Sequence, residues 1–107
     1  MRKILFIAAL MLHYSACTAQ YSKFEEIKKN IDRSVSLNLW DEVLLQATDL
    51  IVEEPTKGDG YYYTSLAFVK LDNKNKANFY LDKAKQFADE ALFVKIQEFK
   101  EKHELTG

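Results

Sequence analysis

Residues 61–88 read YYYTSLAFVKLDNKNKANFYLDKAKQFA. From Tyr61 to Leu71, apolar side chains fall on nearly every side of a helix: Tyr61, Tyr62, Tyr63, Leu66, Ala67, Phe68, Val69 and Leu71. A helix of that kind is packed on two sides or keeps one face for a partner. Asp72-Asn73-Lys74-Asn75 then reads as a turn. After it Ala77, Tyr80, Leu81, Ala84, Phe87 and Ala88 recur at three- and four-residue steps, one stripe of a second helix. So short a junction folds the two helices back on one another as antiparallel neighbours.

The same grammar appears upstream. Ser22-Lys23-Phe24-Glu25 fits a capping box, in which the Ser and Glu side chains satisfy each other's orphan backbone N–H groups. Phe24, Ile27, Ile31 and Val35 form the stripe that follows. Asn38 reads as the N-cap of the next helix, with Asp41 in its first turn to complement the macrodipole. Val43, Leu44, Ala47, Leu50 and Ile51 face one way on that helix, and Pro55 stops it. Gly58-Asp59-Gly60 reads as a loop. Downstream, Asp89 is placed to cap a fifth helix carrying Leu92, Phe93, Ile96 and Phe99, with Lys95, Glu98, Lys100, Glu101 and Lys102 on a solvated face.

Shifting the chain on itself by 34 residues lays the first two helices on the third and fourth. Leu37-Asn38 falls on Leu71-Asp72, Val35 on Val69, Val43 on Ala77, Ala47 on Leu81 and Leu50 on Ala84. A helix–turn–helix unit of this period is the one expected of tetratricopeptide repeats. In the second unit Tyr61, Ser65, Phe68, Ala77, Leu81 and Ala84 stand where that family has an aromatic, a small residue, an aromatic, alanine, a large apolar residue and alanine. In the first unit, Trp40 stands at the aromatic that opens the second helix and Pro55 at the proline that ends it. Ile31 replaces the small residue of the first unit, Lys74 the aromatic of the second, and Asp89 the usual proline.

The chain thus resembles tetratricopeptide proteins over residues 24–89, with 90–104 similar to the helix that closes such arrays. The resemblance implies an all-α fold: two antiparallel hairpins plus a C-terminal capping helix, a fragment of an α-solenoid. It also implies binding of a protein or peptide along an inner groove. Tyr62, Leu66 and Val69 would line that groove, with Lys28 and Asp32 their equivalents in the first helix and Lys70 nearby. Lys28 with Asp32 departs from the Lys-plus-Asn pattern of members that clamp C-terminal carboxylates, so that activity is not carried over.

From the residues alone, Tyr61-Tyr62-Tyr63 fan over about 200° of a helix and cannot all be core. Two readings stay open: a tyrosine-lined binding face, or a face covered by the fifth helix.

Residues 1–20, MRKILFIAALMLHYSACTAQ, order a positive start (Arg2, Lys3), an apolar run from Ile4 to Leu12 and small residues at Ser15, Ala16, Thr18 and Ala19. That order is a bacterial secretory signal peptide. The apolar run spans only about 14 Å as a helix, roughly half a bilayer core. Cleavage after Ala19 gives a leader of residues 1–19 and a domain of residues 20–107, exported to the periplasm or secreted. Alternatively Ser15-Ala16-Cys17 resembles a lipoprotein signal with Tyr14 in place of the usual aliphatic, and Cys17 would carry a lipid anchor to the envelope membrane.

Composition narrows the chemistry. Among 107 residues there are three glycines and one proline, too few turn residues for a sandwich or barrel. The net charge is −1, and loss of the leader leaves 13 basic against 16 acidic side chains, a net −3. Such a surface disfavours nucleic acid. Cys17 is the sole cysteine, and His13 and His103 are the two histidines, so neither a Cys–His nor a Ser–His–Asp set nor a thiolate zinc site is expected in the mature chain. His103 reads as a surface residue near the chain end, where a helix C-terminus favours cations. Adjacent acids such as Glu25-Glu26, Glu53-Glu54 and Asp89-Glu90 diverge on a helix and make no acid–base pair. The expectation is a non-catalytic binding module without a cofactor. Two units fall short of the three or so that usually make a stable array, so a self-associating subunit is the alternative.

Overall fold

The computed structural model describes residues 22–105; the leader expected at residues 1–19, Cys17 and the final two residues lie outside them. Five helices follow in order: α1 (Lys23–Ser36), α2 (Trp40–Glu53), α3 (Asp59–Lys70), α4 (Lys74–Gln86) and α5 (Glu90–His103). Each of the first four packs on its successor, and α5 packs on α4 while also touching α3. The architecture is therefore all-helical, two hairpins and a closing helix.

Local chemistry explains the ends. The Glu25 N–H donates to Ser22 Oγ at 3.2 Å, the serine half of the capping box expected for α1. Leu92 N–H donates to Asp89 Oδ1 at 2.8 Å, the expected cap of α5. Pro55 follows the last residues of α2 and disfavours helical backbone before it.

Asn38 does something other than expected. It does not cap α2; Leu39 holds that position and no side chain accepts a bond there. Instead Asn38 adopts a left-handed conformation, φ 57°, just past the end of α1. Its N–H reaches Val35 O at 3.0 Å, and Leu39 N–H reaches Ser34 O at 2.9 Å. These are the two bonds of a Schellman motif, which satisfies carbonyls that a helix end otherwise leaves orphaned. One repeat later Asp72 has φ 61°, with Asp72 N–H on Val69 O at 3.1 Å and Asn73 N–H on Phe68 O at 2.8 Å. The same turn thus recurs at 34-residue spacing. It is tighter than expected, because Asn73 Oδ1 accepts from Lys76 N–H at 3.1 Å and α4 begins at Lys74.

Gly58-Asp59-Gly60 is not a loop. Gly58 is the N-cap residue of α3, with right-handed helical backbone, and Asp59 and Gly60 are already helical. Both glycines mark places where backbones meet. A Cβ on Gly60 would lie 2.6 Å from Ile51 Cγ1 and 3.2 Å from Ala47 O, and one on Gly58 would lie 2.5 Å from Ala84 O and 2.8 Å from Leu92 Cδ2. The start of α3 is wedged between α2 on one side and α4 with α5 on the other.

Two cores result, and α3 serves both. Phe24, Ile31, Val43, Ala47, Leu50 and Ala67 form the first, with Tyr63, Trp40 and Leu44 against it. Leu81, Ala84, Leu92, Ile96, Phe99 and Leu105 form the second, with Tyr61, Tyr62, Leu66 and Val69 against it. A helix apolar all round is what such a shared position requires. Phe93, expected in the α5 stripe, is exposed, because Leu92 takes the inward place beside it.

Equivalent contacts differ in chemistry between the units. Val43, Ala47 and Leu50 are fully buried, as are their counterparts Ala77, Leu81 and Ala84. Ser65 Oγ donates to Ala77 O at 2.7 Å, while the matching pair in the first unit is the bulkier Ile31 and Val43. Ser34 Oγ donates to Gln46 Oε1 at 2.8 Å, whereas their counterparts Phe68 and Tyr80 stack with centroids 5.6 Å apart.

Candidate functional site

The three successive tyrosines each tie α3 to a different neighbour. Tyr61 donates to Pro55 O at 3.0 Å and stacks on Phe87 at 5.8 Å. Tyr62 meets the edge of Phe99 on α5 at 5.5 Å. Tyr63 turns to α1, where its hydroxyl donates to Asp32 Oδ1 at 2.7 Å. All three are half-buried. The fan inferred from the sequence is real, and the fifth helix does pack over the face that holds Tyr62.

Where α3 and α5 meet, an open depression of about 320 Å³ remains, lined by Tyr62, Leu66, Lys95, Glu98, Phe99, Lys102 and His103. Its floor is apolar and its rim charged. Burial, and secondarily the Glu98 carboxylate, push the Tyr62 phenol above its usual range. Tyr63 is raised further, by burial first and then by its bond to Asp32. His103, expected on the open surface as a cation, is half-buried with its ring 4.6 Å from Phe99. Burial and the nearby Lys70, Lys102 and Lys74 lower its pKa, favouring the neutral ring.

The six groove residues expected from sequence separate into four places. Tyr62 and Leu66 line the depression. Val69 packs with them on the second core but does not reach the opening. Lys28 and Asp32 sit on the α1–α3 seam, Lys28 pairing with Asp59 at 3.2 Å and Asp32 accepting from Tyr63. Lys70 is exposed, its Nζ 5.8 Å from the Trp40 ring centroid.

The α5 half of the wall was not foreseen. Lys95, Glu98 and Lys102 read as a solvated face, yet their spacing of three and four residues puts them on one side of α5 together with Phe99. That spacing was the available signal. Among the described residues, no three His, Cys, Asp or Glu side chains are grouped to hold a metal ion, and no helix is long and apolar enough to cross a membrane. No family model, curated protein or solved structure matches the chain.

Proposed function

We propose that this chain is a scaffold of the tetratricopeptide type in the bacterial cell envelope, which binds a protein or peptide and does no chemistry on it. The observation that carries the reading is the depression between α3 and α5, with Tyr62, Leu66 and Phe99 beneath a rim of Lys95, Lys102 and Glu98. An apolar floor framed by charge suits one anchoring side chain of a partner, with polar groups fixing its orientation. Tyrosine contributes rigid contact area there at little entropic cost. The 34-residue recurrence of the Asn38 and Asp72 turns supports the repeat type. The leader at residues 1–19 supports export to the periplasm or beyond, with Cys17 lipidation as the route to a membrane-anchored form.

Photocrosslinking tests the reading. A photoreactive residue in place of Glu98 should capture discrete partners in intact envelopes. Leu66→Arg, which fills and charges the floor, should abolish those adducts, whereas Leu45→Ala on another helix should not. Identical adducts from Leu66→Arg and the parent would sink the site. The N-terminal mass of the processed protein separates a start at Gln20 from a lipidated Cys17.

A further inference from the structure

α2 and α4 are the second helices of the two units, so their free faces look outward from equivalent places. Those faces carry large apolar side chains: Leu45 is 65% exposed, Val52 76% and Phe79 57%. Leu45 and Phe79 coincide under the 34-residue shift. Their surroundings have opposite sign. α2 holds Asp41, Glu42, Asp49 and Glu53 with no basic residue, while α4 holds Lys74, Lys76, Lys83 and Lys85 against Asp82 alone. The inversion is position for position at two places, Glu42 falling on Lys76 and Asp49 on Lys83. Among the described residues none of these four has an ion-pair partner, although Lys76 Nζ lies 5.4 Å from the Phe68 ring centroid.

We infer that this outer face docks a second copy of the same chain. A two-fold axis running along the helices lays α2 of each copy parallel to α4 of the other. Leu45 then meets Phe79, Glu42 meets Lys76 and Asp49 meets Lys83, each contact occurring twice as an isologous interface requires. A uniformly basic or acidic partner would match one helix and be repelled by the other; a second copy matches both. The face is separate from the depression at Tyr62, so dimerisation and partner binding can be tested independently.

Sedimentation equilibrium of the naturally processed protein should show a dimer that weakens as salt rises, because exposed charges are screened. Two charge-reversed chains make the decisive comparison. Glu42→Lys/Asp49→Lys puts lysine opposite Lys76 and Lys83, and Lys76→Glu/Lys83→Glu puts acid opposite Glu42 and Asp49. Each alone should dimerise at least about tenfold more weakly, since like charges then face one another. An equimolar mixture of the two should restore the dimer, because every α2–α4 contact regains opposite signs. Phe79→Ser, at an exposed position that leaves the cores intact, should also yield monomer. A parent that stays monomeric at all concentrations, reversed chains that dimerise like the parent, or a mixture that fails to recover would each overturn the inference.

Discussion

Asp32 and Tyr63 stand 31 positions apart in the chain and share a 2.7 Å hydrogen bond that joins α1 directly to α3. Lys28 with Asp59 is a companion pair across the same seam. Both draw on residues first read as groove-lining, so the seam between units is partly polar.

Tyr63→Phe should therefore destabilise the domain by about 1 kcal/mol, the usual net value of such a bond. The effect has a pH signature. The folded state holds the Tyr63 phenol above its ordinary value, so its stabilisation is complete below the unfolded pKa of roughly 10 and is lost as pH rises beyond it. Urea melts across the alkaline range should show stability falling more steeply for the parent than for Tyr63→Phe. Parallel slopes would refute the coupling.

Alanine at Gly58 or Gly60 should destabilise, although at Gly60, inside the helix, the exchange would by itself gain about 0.5–1 kcal/mol. The backbone of Gly58 is right-handed, and neither glycine has positive φ, so conformation does not oppose the change. The added carbon does. It meets Ile51 beside Gly60, or Ala84 O and Leu92 beside Gly58. Overpacking of this kind costs about 1–3 kcal/mol, read as a lower urea midpoint.

Asn78 offers the opposite outcome. Its Oδ1 is buried without a hydrogen-bond partner among the described residues, and the matching residue of the first unit is Leu44. Asn78→Leu should raise stability by about 1 kcal/mol by removing the unsatisfied acceptor. An unchanged or lower midpoint would show that the amide is satisfied in solution.

His103 predicts behaviour at acid pH. Its folded pKa lies below the ordinary value, so its contribution is present above about pH 6.5 and is lost as pH falls and the ring must charge. His103→Leu should remove that part of the acid sensitivity, seen as a flatter midpoint-versus-pH curve between about 5 and 7.

Most of the fold was legible from periodicity. The stripes Val43, Ala47, Leu50 and Ala77, Leu81, Ala84 are the buried faces of α2 and α4, because helical spacing alone dictates which side chains turn inward. The turns were harder. Asparagine serves equally well as an N-cap and as a left-handed residue after a helix, and Asn38 takes the second role. Gly58 and Gly60 look like a loop in any local reading, since the helices that crowd them come from distant parts of the chain. The site was half-legible for the same reason. Tyr62 and Leu66 announced themselves on α3, but only the meeting of α3 with α5 turns Lys95, Phe99 and His103 into their opposite wall.

A molecule with two nearly interchangeable hairpins must avoid crossing its own halves while it collapses. The serine–glutamine link in one and the ring stack in the other act as unlike keys. Were α1 to seize α4, Ser34 would face the Tyr80 ring, and Gln46 would be left against Phe68 with its amide unanswered. Repetition of the hairpin gives this protein its shape, and that divergence tells each helix of a pair which companion is its own.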